Sequence, residues 1–259
     1  MEKVIKNEND VLKLMDIANR TGKILIANGA EVFRVEDTME RICHSYYGLD
    51  GVEVFAITNS IFLTLTYKNK PYSTVVRDKN PSLRLDKIDF ANRFSRKFCN
   101  ENMTMEEAEN ILDKIEGIKR YPIPTRSLAA GITSAFFSIM FGGNFIDFIA
   151  AFVVGFLVYA ILAIPPKFMV PIFITDMMSG FLSAGLAALI MFLNLGNNID
   201  MVIIGALMPY VPGIAITNAT RDILAGDYLS GVMTATKAIF TAIAIAFGVG
   251  IVLAVYFGG

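Results

Sequence analysis

The chain is poor in the groups that carry covalent or metal chemistry. Its 259 residues hold two cysteines, Cys43 and Cys99, and one histidine, His44. The cysteines lack C-x-x-C spacing, so two reduced thiols are expected rather than a disulfide or a metal site. No Walker A loop, G-x-G-x-x-G turn, G-x-S-x-G elbow or zinc motif occurs. A nucleotide-driven pump therefore cannot be argued from this chain, and no cofactor, metal or nucleic-acid partner is expected. The first residues, M-E-K-V-I-K-N-E-N-D, contain no apolar h-region, so no cleaved signal peptide is expected.

Charge is scarce in one half only. Of 23 Lys+Arg, 20 lie in residues 1–126; Lys167, Arg221 and Lys237 are the rest. Of 24 Asp+Glu, 19 lie in the same part, leaving Asp147, Asp176, Asp200, Asp222 and Asp227. Such asymmetry predicts a soluble domain followed by a membrane domain. The expected division is 1–118 for a cytosolic α+β domain, 119–126 for a basic, proline-containing linker, and 127–259 for an all-α membrane domain.

In the first domain, Val11, Leu14, Met15, Ala18 and Leu25 predict a helix over 9–28 that stops at Gly29. Val35, Met39, Ile42 and Tyr46 predict a second over 31–47, on whose charged face Arg34, Asp37 and Arg41 can pair. The period then drops to two. Val52–Ile57, Ile61–Tyr67 and Tyr72–Arg77 read as an antiparallel meander, with a turn at Lys68–Pro71. A helix over 86–100 follows, and Thr104 with Glu107 forms a capping box opening a last helix through Glu116. Glu31, Arg34, Glu36 and Asp37 cluster after Gly29. They read either as a small-ligand or catalytic site, or as a solvated or docking helix face.

Beyond the linker Lys119–Arg126, five spans are expected, at about 127–142, 145–164, 169–193, 201–217 and 230–256. The first and fourth are short against the ~20 residues that hydrocarbon demands. Basic residues fall on alternate connections, at Lys119/Arg120/Arg126, Lys167 and Arg221. By the positive-inside rule the N-terminus is cytoplasmic and the C-terminus outside. The Asn218-Ala219-Thr220 sequon falls on the cytoplasmic side and is read as accidental. Stripes of small residues, such as Gly131, Ser134 and Ser138 or Gly180, Ser183 and Gly185, read as helix packing.

Polar residues within apolar runs ask for more. Asp176 and Lys237 each lie well inside a span, and their pairing would limit the cost of two buried charges. Pro209 and Pro212, with Gly213, predict a broken helix that exposes backbone groups to a substrate or proton carrier. Lys237 snorkelling to the interface, or a purely structural pair, is the alternative. Asp147, near the outer end of the second span, reads equally as an exposed end cap or as a functional group. Asn218, Arg221 and Asp222 share a face if 217–225 is helical, and anchor a loop or line a gate.

Two stretches then stand together: G-A-E-V-F-R-V-E-D-T-M-E-R-I at 29–42 and P-G-I-A-I-T-N-A-T-R-D-I-L-A-G-D-Y-L-S-G at 212–231. With them, nearly the whole chain resembles the threonine/serine exporter family, in the order cytosolic domain then spans. Stopping after one set of spans, it is similar to the longer subunit of the split two-component type. The resemblance implies export of a threonine/serine-like amino acid or a succinate-like dicarboxylate across a prokaryotic cytoplasmic membrane. It also implies a shorter membrane-only partner subunit, or a homo-oligomer. It carries Glu31, Arg34, Glu36 and Asp37 over from the first motif, and Asn218, Arg221, Asp222 and Asp227 from the second. A proton gradient is the expected driving force. The competing expectation is a membrane-anchored enzyme or ligand sensor whose α+β domain holds the site.

Overall fold

The computed structural model describes residues 3–78, 82–164 and 170–258. The chain forms two compact units: Met1–Lys119 with Ile214–Ala235, and Arg120–Gly213 with Thr236–Gly259. Segment 214–235, flanked by apolar helices in the sequence, groups with the N-terminal residues, because its polar side chains find their partners there.

The first unit is built from α1 (Glu8–Ala27), α2 (Val32–His44), β1 (Gly51–Ile57), β2 (Ser60–Tyr67), β3 (Lys70–Arg77), α3 (Leu85–Asn100) and α4 (Met105–Glu116). Two helices precede the sheet and two follow it. The strands run antiparallel in the order β1-β2-β3. Lys68 and Asn69 take φ of 50° and 60° in the two-residue β2–β3 hairpin, the backbone that matches strand twist. The period of two is realised directly: Ile61, Leu63, Leu65 and Tyr67 are buried while Phe62 is exposed. They share one core with Leu14 and Ile17 of α1, Met39 and Ile42 of α2, Phe98 of α3 and Leu112 of α4. Gly22 interrupts the apolar stripe of α1 for a reason of space. A Cβ there would lie 2.2 Å from Met39 Sδ, so glycine lets α2 close on α1. Both halves of the Thr104–Glu107 capping box are formed. Cys43 is a buried free thiol, pushed up to about 12 by burial, and Cys99 is also free.

The remaining helices are α5 (Ile123–Met140), α6 (Phe145–Leu162), α7 (Ile172–Phe192), α8 (Ile199–Leu207), α9 (Gly213–Ala225) and α10 (Tyr228–Gly258). Among the described residues only α6, α7 and α10 are long and apolar enough to cross a membrane, which corrects the expectation of five spans. In α5, Thr125, Arg126, Ser127, Thr133, Ser134 and Ser138 dilute the apolar content. Arg126 belongs to its first turn rather than to the linker, because proline is tolerated there and the helix starts before Pro124. Nine-residue α8 rises only ~14 Å, under half of a ~30 Å hydrocarbon core. The loop expected at Pro165-Pro166-Lys167 lies outside the described residues.

Within the second unit, helices approach through small residues. A Cβ on Gly205 of α8 would sit 2.5 Å from Ser134 O of α5, and one on Gly155 of α6 2.1 Å from Ser134 Oγ. On α7 and α10 the fit is as close, and against backbone: Gly180 would meet Ile245 O at 2.2 Å and Gly248 would meet Met177 O at 2.0 Å. Lipid offers no hydrophobic drive between helices, so such van der Waals contact between backbones is what holds them. Asp147 caps the start of α6, as the sequence allows, but it is buried rather than exposed. Its Oδ2 accepts from Asn144 N (3.1 Å), and its Oδ1 accepts from Asn197 N and Asn198 N (2.9 Å each). One carboxylate thereby starts α6 and holds the loop before α8.

Gly180→Ala and Gly248→Ala should each lower the thermal unfolding temperature of the detergent-solubilised chain, since overpacking against backbone costs about 1–3 kcal/mol. Gly185→Ala, where a Cβ meets nothing within 4 Å, should not. Equal unfolding temperatures for all three would show that α7 and α10 are not held by that contact.

Candidate functional site

The site grows from the end of one helix and the start of the next. Helix α1 closes through Gly29, whose φ of +91° lets Ala30 N–H reach Leu25 O (3.1 Å) and Gly29 N–H reach Ile26 O (3.3 Å). Glu31 then occupies the cap position of α2 with extended backbone, but its side chain makes no cap hydrogen bond. It is turned aside instead. One oxygen pairs with the Arg221 guanidinium, and the other accepts from Arg34 Nη1 at 3.3 Å.

The vacant cap is supplied by α9. Val32 N–H, an orphan donor of the first turn, donates to Asp222 Oδ1 at 3.0 Å. One turn earlier, Asn218 Nδ2 donates to Gly29 O at 2.9 Å. Three residues of one α9 face, at three- and four-residue spacing, thus hold the turn at 29–32. Helix α9 itself ends as α1 does, with Gly226 at φ +99° and Asp227 N–H donating to Asp222 O at 2.8 Å. Two left-handed glycines therefore bring Glu31, Asp222 and Asp227 together. Glu36, one turn into α2, accepts from Ala56 N at 2.6 Å and ties the cluster to β1.

Electrostatics sets the character of this cluster. Glu31 is 7% exposed and Asp222 2%. Burial pushes the Asp222 carboxyl up to about 6; the neighbouring carboxylates of Asp227 and Glu31 add to the rise and the Val32 N–H opposes it. Glu36 is raised too, by burial first and then by Asp227, Glu40 and Asp222, against the Ala56 N–H. The two arginines are more than half exposed, 58% for Arg221 and 53% for Arg34. The result is a cluster of carboxylates in which burial raises Asp222 to about 6 and Glu36 above its ordinary range, beside guanidinium groups more than half exposed. Among the described residues, no three or more His, Cys, Asp or Glu are arranged to hold a metal ion.

Of the sequence candidates, Asp37 falls outside this cluster. It is exposed and pairs with Arg41 at 2.8 Å, and Arg34 pairs with Glu31 rather than with Asp37. Arg221 and Asp222 do not anchor a loop by pairing with each other; each reaches the 31–32 turn.

The second unit holds the other candidates. Asp176 on α7 is half-buried, and the expected ion pair with Lys237 is not among those formed by the described residues. Thr241 Oγ1 donates to Asp176 Oδ2 at 2.8 Å instead, while Lys237, one turn away on α10, is exposed. A long lysine reaches outward more cheaply than it buries its charge. Helix stops at Leu207 and resumes at Gly213. Pro209 and Pro212 lie in that gap, since neither can donate to a helical carbonyl. Sequence reasoning missed Thr241, which no local pattern marks. It also missed the reach of Asp147, although Asn144-x-x-Asp147 carries a capping signature.

Because its folded pKa is raised, Asp222 contributes stability that is complete below the ordinary carboxylate range and lost as pH rises through about 6. Asp222→Asn keeps an acceptor for Val32 N–H and removes the charge. Thermal unfolding followed from pH 4.5 to 7.5 should fall less steeply in the variant than in the parent chain. Identical profiles would mean that another group titrates.

The family described as "Putative threonine/serine exporter" matches residues 16–256. No curated protein and no solved structure matches the chain. The family match takes in the 29–32 turn, the α9 residues that hold it and all three helices of membrane-crossing quality, so the chain belongs to the threonine/serine exporter family.

Proposed function

We propose that the chain is one subunit of a secondary exporter that moves a threonine- or serine-like amino acid outward against entering protons. The observation that carries this reading is the meeting of segments 29–42 and 212–231 in one cluster of guanidinium and carboxylate groups around Asp222. A zwitterionic amino acid bears a carboxylate and an ammonium a few ångströms apart. The Glu31–Arg221 pair offers the complementary couple: substrate carboxylate replaces Glu31 at the guanidinium, and substrate ammonium takes Glu31. A dicarboxylate such as succinate lacks the ammonium and meets four carboxylates, so the electrostatics favour the amino acid over it.

Proton coupling follows from the same residues. A carboxyl titrating at about 6 changes charge over the pH difference between the two faces of an energised membrane. Its ionised form holds the first turn of α2, and its protonated form holds it less well, so proton uptake biases the α9–α2 junction. Asp176, hydrogen-bonded to Thr241 within the apolar helices of the other unit, is a second protonatable group. The interruption at Pro209–Gly213 presents backbone groups to solute.

We place the chain in a prokaryotic cytoplasmic membrane, with the N-terminus inside. Lys119, Arg120 and Arg126 gather before the apolar helices, which favours an inside N-terminus, and an odd number of crossings would leave the C-terminus on the other side. Three crossing helices are few for a solute pathway, which favours completion by a shorter membrane-only subunit or by a second copy.

Efflux of labelled threonine, serine and succinate from preloaded vesicles, with and without a pH gradient, tests this. Threonine and serine efflux should rise with the gradient. Arg221→Ala should abolish it, and Asp222→Asn and Asp176→Asn should each leave efflux that ignores the gradient. Gradient-driven efflux unaffected by all three substitutions would overturn the assignment.

A further inference from the structure

Arg126 Nε, Ser127 Oγ and Tyr210 Oη are buried donors of the second unit that have no acceptor among the described residues. Ser127 as a whole is 0% exposed. A buried donor left unpaired bears the full penalty of its lost water, so such atoms are rare without a partner. Helix α5 has its own remedy for hydroxyls. Thr133 Oγ1 donates to Ala129 O and Ser134 Oγ to Ala130 O, both at 2.9 Å and both four residues back. Ser127 does not make that bond to Ile123 O, although both residues lie in the same helix.

The three donors belong to one neighbourhood. Arg126 and Ser127 are consecutive in α5. The Arg126 guanidinium carbon lies 5.9 Å from the centre of the Tyr159 ring on α6, a cation–π contact that steadies it. Tyr159 is in turn within electrostatic range of Tyr210. Tyr210 stands in the interruption after α8, where it packs on the apolar core of the unit and its N–H donates to Leu207 O at 2.8 Å. Its backbone is thus held, and its hydroxyl is the part that lacks a partner.

The acids of the unit do not answer the guanidinium. Asp147 accepts from Asn144, Asn197 and Asn198, and Asp176 accepts from Thr241. Asp200 sits in the first turn of α8, whereas Tyr210 follows its last. Helix α5 also opens without a side-chain cap hydrogen bond, which leaves the positive end of its dipole unanswered near Arg126. One fixed cation with two hydroxyl donors is the complement of a planar anion bearing a single charge and several lone pairs, which describes a carboxylate.

We propose that Arg126, Ser127 and Tyr210 bind the carboxylate of the exported solute, as a second station besides the Arg221 cluster. The guanidinium neutralises the charge, and the two hydroxyls take lone pairs that it leaves. That the carboxylate is an amino acid's rests on the exporter reading; the binding of a carboxylate does not.

Equilibrium dialysis of labelled threonine against the full chain in detergent provides the test, in an Arg221→Ala background that removes the other guanidinium. That chain should still retain threonine, and adding Arg126→Gln should abolish retention. Ser127→Ala or Tyr210→Phe should each weaken it about tenfold, the loss of one hydrogen bond to a charged group. Acetate should compete, and threoninol, which lacks the carboxylate, should not. Without ligand, Ser127→Ala and Tyr210→Phe should unfold at the parent's temperature or above it, because each removes a buried donor that bonds nothing. A lower unfolding temperature in both would show structural hydroxyls and overturn the proposal. So would threonine held by the parent but not by Arg221→Ala, or equal retention with and without Arg126→Gln. Competition by chloride that matches acetate overturns it in favour of an unselective anion site. A parent chain that neither retains nor exports threonine sinks the exporter reading alone. Labelled acetate then replaces threonine, and equal acetate retention by the parent and Arg126→Gln overturns the site.

Discussion

One backbone amide organises the first unit. Val32 N–H starts α2 and needs an acceptor, and the acceptor comes from Asp222, 190 residues further along the chain. That exchange frees the Glu31 carboxylate, which turns to Arg34 and Arg221. With Asn218 on Gly29 O, it also draws a helix out of the apolar half of the sequence into a unit of ordinary composition. The N-terminus of α2 favours a negative group. Burial, with Glu31 and Asp227 nearby, disfavours one more strongly, and the balance raises Asp222 to about 6. A cap of this kind is a structural tie and a proton site at once, because the same oxygen that accepts the amide bond loses strength as an acceptor when it is protonated.

The second unit depends on a different constraint. Its helices contact through Gly131, Gly155, Gly180, Gly205 and Gly248, with Ser134 and Ser138 between them. In an apolar solvent, close approach of backbones replaces burial as the source of adhesion. The unit's two buried or half-buried carboxylates have partners: Asp147 on the amides of Asn144, Asn197 and Asn198, Asp176 on Thr241. Each satisfied carboxylate fixes one junction between elements that the apolar surfaces alone would leave free to slide.

Local patterns in the sequence agree closely with the elements of the first unit. The 3.6-residue stripes, the switch to period two after Val52 and the Thr104–Glu107 box mark α1 to α4 and the sheet. Each of these signals comes from neighbours in sequence, so each survives without knowledge of the rest of the chain. The broken helix at Pro209 and Pro212 is legible for the same reason. Apolar content alone suggests five spans, but α5 is diluted by hydroxyl residues and α8 is too short, and helix length and continuity do not follow from average composition.

The candidate site was half legible. Both stretches that build it stand out by their charge within helical or apolar runs, and Asn218, Arg221 and Asp222 share a face by spacing alone. That they meet residues 29–32 rather than one another cannot be read from spacing, and neither can the exclusion of Asp37 or the turn of Asp176 to Thr241 instead of Lys237. Residue order thus specifies which helices and strands form, where they stop and which faces carry charge, since those depend on backbone hydrogen bonds and side chains a few positions apart. Which carboxylate meets which amide or guanidinium is set by packing across some 190 residues. There the cost of leaving a buried polar group unpaired selects one partner among several that the sequence permits.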